Sequence, residues 1–206
     1  MKHDLIKFPL HIIVHPFDGF WDLKYEGKGK ARVALLIVLL MVLTVIVQKQ
    51  YAGFLVNFVD PRALNSMDDL VYTVIAFLLF CIANWSVTTL MEGEGKFKEI
   101  VMATGYALLP LVLINLPMTF LSRIMTQEET PFYYLMNFLA AIWFIFLLFV
   151  GNMTVHQYTA AKTVFTLMLT VIAMGFIVFL WSLAFSLGMQ IYWFIYDVYR
   201  ELVFRT

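Results

Sequence analysis

The stretch LVYTVIAFLLFCIANWSVTTL (Leu70–Leu90), MEGEGKFKE (Met91–Glu99), IVMATGYALLPLVLINLPMTFL (Ile100–Leu121) decides how this chain folds. Its outer pieces contain no Lys, Arg, Asp or Glu, whereas the short piece between them carries Glu92, Glu94, Lys96, Lys98 and Glu99. A helix rises ~1.5 Å per residue, so about 20 apolar residues cross a hydrocarbon core of ~30 Å. Each outer piece is long enough, and the charged piece between them belongs in water. The stretch therefore predicts two membrane-crossing helices joined by a turn at one face. A membrane barrel would need segments of about 10 residues with alternating polarity, and the pattern is absent.

Three further uncharged runs lie outside this stretch: Val33–Val47, Pro131–Val150 and Thr163–Gly188. The first is short, and its neighbours Arg32 and Lys49 are expected to lengthen it by reaching for the headgroups. Pro131 opens the fourth run in its first turn, where a missing N–H costs nothing. The predicted fold is an all-α, polytopic membrane bundle: five transmembrane helices over residues 33–188, between amphipathic flanks at 1–32 and 189–206. Composition agrees, with 62% hydrophobic residues against 14% charged and a mean hydropathy of +0.84, far from the balance of a water-soluble domain. The net charge of zero speaks against a nucleic-acid partner, which would require a basic face. Cys81 is alone, so no intrachain disulfide is expected. The charges spread through residues 1–32 read as the lack of a cleavable signal peptide.

The N-terminal flank mixes apolar positions such as Leu5, Phe8, Ile12, Phe20 and Leu23 with Lys2, Lys7, Asp4, Asp18 and Glu26, as suits a segment in the headgroup plane. The C-terminal flank gathers Tyr192, Trp193, Phe194, Tyr196 and Tyr199, an interfacial signature, with Glu201 and Arg205 spaced to support a helix. Nine Lys and Arg fall on the side of the N-terminus and five on the other. That count predicts a cytoplasmic N-terminus and an external C-terminus.

Few residues invite chemistry. His11 and His15 are spaced to share a metal, but no third ligand is near, and they read as an interfacial pair. His156 reads as a solvated loop residue. No Gly-rich phosphate loop, HExxH or GxSxG occurs, so no cofactor, metal or catalytic residue is expected. A membrane enzyme would need ionisable groups clustered at one face, and Glu92, Glu94 and Glu99 with Lys96 and Lys98 are better explained as a solvated turn. Asn84, Asn115 and Asn137 fall within three different spans. Such residues usually hydrogen-bond between helices; the alternative is a neutral polar seam serving a small transporter, channel or lipid-handling protein. Convergence on a water-filled cavity would mark that alternative. Gly93 and Gly95 predict a tight turn with positive φ, and Gly105 a close helix approach. Pro110 predicts a bend that frees the carbonyl of Tyr106, with Asn84 or Asn115 as its expected partner.

The order NWSVTTLMEGEGKFKEIVMATGYALLP (Asn84–Pro110), after HPFDGFWDLKYEGKGK (His15–Lys30), resembles the Yip-domain (Ypt/Rab-interacting protein) family, above all its bacterial branch. Glu92, Gly93, Glu94, Gly95, Gly105, Tyr106 and Pro110 carry the resemblance. It implies five membrane helices, a cytoplasmic N-terminus and no catalysis. Eukaryotic members bind small Rab-type GTPases or one another in vesicle trafficking. This chain lacks their long polar N-terminal region and their acidic-Leu-Tyr-Gly-Pro motif, which speaks against a small GTPase as partner. Some bacterial members are encoded near sugar-import permeases, so the resemblance points to a bacterial cytoplasmic membrane and an ABC-type sugar permease. The reading that results is a non-enzymatic membrane adaptor or accessory protein that contacts the lipid bilayer and docks other membrane proteins.

Overall fold

The computed structural model describes residues 4–60, 62 and 64–204. Eight α-helices are described: α1 (Asp4–Val14), α2 (Pro16–Tyr25), α3 (Ala31–Tyr51), α4 (Ser66–Leu90), α5 (Phe97–Ala107), α6 (Leu109–Leu121), α7 (Thr130–His156) and α8 (Ala160–Phe204). Among the described residues, five spans are long and apolar enough to cross a membrane, with α5 and α6 together forming the third. The protein is a multi-pass membrane helical bundle. Lys2 and Arg205, named above, lie outside the described residues, so the expected Glu201–Arg205 pair is not part of this description.

Capping explains where the helices stop and start. Asn65 accepts a hydrogen bond from the Met67 N–H (3.1 Å), and Asp68 and Asp69 sit in the first turn of α4, at its positive end. α4 thus begins four residues before the uncharged run, and Asp69 is buried although it is an acid. Its partner is the ammonium of Lys49 at the end of α3. The other end of α4 closes with the Gly93 N–H on the Thr88 carbonyl (2.8 Å), a Schellman-type closure that places Glu92 in the left-handed region at φ 57°. The positive φ expected of Gly93 and Gly95 falls on Glu92 instead. A β-carbon there costs about 1–2 kcal/mol, partly offset by the smaller entropy loss of a non-glycine residue. Glu92→Gly is therefore expected to stabilise the bundle by about 0.5 kcal/mol, read as a higher midpoint on SDS titration.

The third span breaks at Leu108. Pro110 has no N–H, and its ring would meet the carbonyl four residues back, so α5 ends at Ala107 and α6 starts with Pro110 in its first turn. The Leu108 N–H turns back onto Gly105 O (3.3 Å). Neither asparagine serves the Tyr106 carbonyl among the described residues, and Asn84 donates to Thr170 Oγ1 (3.3 Å) on α8 instead. Pro110→Ala, which lets residues 97–121 join into one helix, is expected to express and remain monodisperse in detergent. Loss of folded protein would show that the break is required.

The third span is the most enclosed, 61% buried against 17% for the span of α8. The buried side of α5 sets the small residues Ala103, Thr104, Gly105 and Ala107 beside Ile100, Met102 and Tyr106. Small residues let helix backbones approach, which matters because lipid is as apolar as any side chain and burial alone drives little association. The N-terminal flank belongs to this core. Ile12, Phe20 and Leu23 are buried with Ala34, Ile100, Tyr106 and Val150, and Phe20 lies flush on Gly151 of α7, where a Cβ would stand 3.0 Å from its ring.

Two faces result. The N-terminal face gathers α1, α2, the start of α3, the 91–96 turn and the 157–159 connection. The opposite face joins α3, α4, α6 and α7 through Lys49–Asp69, Gln48 Nε2 to Tyr133 Oη (2.9 Å) and Gly53 N–H to Ser122 Oγ (2.8 Å). α8 starts at the N-terminal face and runs on without interruption for 45 residues, through Gly188.

Candidate functional site

Of the residues that carry the resemblance, Glu92, Gly93, Glu94, Gly95, Gly105 and Tyr106 assemble toward the N-terminal face, while Pro110 lies deeper, at the break between α5 and α6. Gly93 and Gly95 lie against the end of α7. A Cβ at Gly93 would stand 2.5 Å from His156 Nδ1 and 2.7 Å from Tyr158 Oη; one at Gly95 would stand 2.6 Å from His156 Cε1 and from Val155 Cγ1. The glycines are needed here for close approach rather than for φ. The Gly95 N–H donates to His156 Nδ1 (3.3 Å), which requires that nitrogen to be unprotonated. His156 is 2% exposed and is no solvated loop residue: α7 extends to it, and the 91–96 turn covers it.

Tyr158 closes the same junction from the next connection. Its hydroxyl donates to the Met91 carbonyl (3.1 Å), with the Thr88 carbonyl 3.3 Å away, and so satisfies an acceptor at the end of α4. Its ring stacks on His156 (centroids 5.4 Å apart, planes at 23°), and the Lys162 ammonium sits 4.4 Å from its centroid. Burial, with the Glu92 carboxylate nearby, pushes the Tyr158 phenol above its ordinary pKa, so it remains a donor. From α2, Lys24 donates to the Val155 carbonyl (2.6 Å) and pairs with Glu94 (3.6 Å). One cation thereby fastens α2 to both the α7 terminus and the glycine turn, at the end of a helix where positive charge is favoured.

Gly105 and Tyr106 form the second half of the site. Gly105 lies against Ala34, whose Cβ and carbonyl oxygen would stand 2.9 and 3.1 Å from an added Cβ. Tyr106 is 1% exposed. Its hydroxyl accepts from the Lys30 N–H (3.2 Å) and donates to the Lys30 carbonyl (3.3 Å). The Phe8 ring meets its ring edge-on at 5.6 Å. A single side chain on α5 thus holds both the entry to α3 and helix α1.

The three asparagines do not converge. Asn84 bonds Thr170 near the N-terminal face. Asn137 accepts from Gln48 (3.3 Å) toward the opposite one. Asn115 lies on α6 with its Oδ1 buried and unpartnered among the described residues. The cavity beside Asn84 measures about 10 Å³, the room of one water, and is lined also by Thr104, Asn152 and His156. His156 Nε2 and Asn152 Nδ2 are buried there without a partner among the described residues, so a single water suits it. His11 and His15 stack at 5.1 Å, and among the described residues no group of three His, Cys, Asp or Glu could hold a metal ion.

His156, Tyr158 and Lys24 escape sequence reasoning because each looks like an ordinary polar residue near a span end. Only the double glycine of the turn signals that something must lie flush against it. A family model, the Yip1 domain, matches residues 10–195. No curated protein and no solved structure matches the chain.

Proposed function

The chain belongs to the Yip1-domain family, and on that premise we propose that it is a non-catalytic docking protein of the membrane, holding one long helix ready to meet a second membrane protein. The observation that carries this reading is α8. Its 45 residues extend about 68 Å, more than twice the ~30 Å of a hydrocarbon core. Only Thr163, Thr166 and Thr170, spaced along one face, are buried. From Val178 to Phe204 every residue is exposed. Ser182 and Ser186, four apart, supply the small-residue spacing at which a second helix approaches closely. The tight interior also favours docking over transport: the cavity beside Asn84 has room for one water, about 10 Å³, and the asparagines do not converge. We place the N-terminal face in the cytoplasm on the Lys and Arg counts.

A photo-crosslinking residue at Phe185 or Tyr192 in native membranes tests the reading, with Leu36, exposed on α3, as control. Both α8 positions are expected to yield one and the same protein adduct, lost in a Ser186→Leu background, while Leu36 yields lipid. Lipid adducts alone at all three positions would overturn it. An ABC-type sugar permease is the partner to probe first.

A further inference from the structure

The N-terminal face also carries an open cavity of about 480 Å³, between α1 and the connection into α3. Its lining carries three ammonium groups, Lys7 from α1 with Lys28 and Lys30 from the connection, beside the His11 imidazole. Asp22 lines it too, but its carboxylate is engaged by Lys28 (2.8 Å), as is that of Glu26 (2.5 Å). Lys7 and Lys30 have no acidic partner among the described residues. Phe8 supplies an apolar wall, fixed by its contact with Tyr106, and Tyr106 fixes the Lys30 backbone as well. The cavity is therefore built on the buried tyrosine rather than left between loose side chains.

We propose that this cavity binds a phosphate-bearing anion, the headgroup of an anionic phospholipid. Two uncommitted ammonium groups and an imidazole match the charge and hydrogen-bond demand of a phosphate, and the volume falls in the range of ligand sites. Position supplies the rest. On α1 the row Lys7–His11 runs beside the exposed apolar row Leu10–Val14, the arrangement of a helix lying at headgroup depth. The connection enters α3 just where its uncharged run begins. A phosphate here would sit at the level of the lipid phosphates, with its glycerol end toward Phe8. The inference is independent of the docking role of α8.

The test uses the full chain in neutral detergent, following its thermal midpoint. Phosphatidylglycerol is expected to raise the midpoint by several degrees and phosphatidylcholine not at all. The shift should vanish in Lys7→Gln/Lys30→Gln, whose ammonium groups make no ion pair among the described residues, and persist in Lys96→Gln, which removes a cation elsewhere on the same face. A shift given by inorganic phosphate with the same lysine dependence, and by lipid not at all, would keep the phosphate site but overturn its assignment to lipid. No shift with either anion, or equal loss in the Lys96 variant, would overturn the site itself.

Discussion

Replacing Tyr106 with alanine is expected to destabilise the bundle by about 3 kcal/mol and to release the N-terminal helices first. The side chain is 1% exposed, and its removal leaves a hole bounded by α1, α3 and α5. In a membrane the transfer part of the usual cost is muted, because the unfolded reference also lies in lipid. The lost packing contacts remain. Two hydrogen bonds to Lys30 go as well, leaving the Lys30 N–H without its partner. Tyr106→Phe keeps the ring and loses only the hydroxyl, so about 1 kcal/mol is expected. SDS titration of the three proteins checks both figures. Equal midpoints for the alanine and phenylalanine variants would mean that the hydroxyl, and not the packing of Phe8 and α3, carries the effect.

Gly105→Val is expected to be the other severe change, about 3 kcal/mol or enough to abolish folded protein. The nearest atoms to an added Cβ are Ala34 Cβ at 2.9 Å and the Ala34 backbone at 3.1 and 3.3 Å. A flexible side-chain end could move aside at little cost, but here a helix backbone must move, and α3 packs along both α5 and α6. The second variant in this pair is informative: Ala34→Gly removes the closest contact and should rescue Gly105→Ala in part, leaving the backbone contacts as the residue of the effect. Folded Gly105→Val at wild-type yield would contradict the close crossing of α3 and α5.

The spans were legible because an uncharged run of about twenty residues has few other fates, and the break before Pro110 because proline states its own hydrogen-bond deficit. What lay beyond reading shares a physical cause. Lys24, Lys49, His156 and Tyr158 are polar residues near the ends of spans, where solvation and burial leave the same mark on sequence. The choice between them depends on which helix end lies opposite, as when Asp69 takes Lys49. Residues 10–25 are equally ambiguous: a short amphipathic helix looks alike whether its apolar side meets lipid or closes a bundle, and here Ile12, Phe20 and Leu23 do the latter. The glycines of the 91–96 turn stand out in the sequence, but positive φ is not what requires them. Its left-handed residue is Glu92, and its glycines are small because His156 and Tyr158 press against them. The unbroken course of α8 was hidden by the aromatic, partly charged tail, although no proline follows Pro131 and nothing approaches Gly175 or Gly188.

The glycine turn and the Gly105-Tyr106 pair fasten the N-terminal helices onto the bundle. Hydrogen exchange on the unmodified protein in lipid nanodiscs tests this most directly, comparing peptides covering 16–30 and 91–96 with one covering residues 54–60, where Phe54 and Phe58 are exposed. The Lys30 and Gly95 amides, held by Tyr106 and His156, are predicted to exchange far more slowly than the 54–60 connection. Exchange of both within seconds, indistinguishable from that connection, would contradict the account.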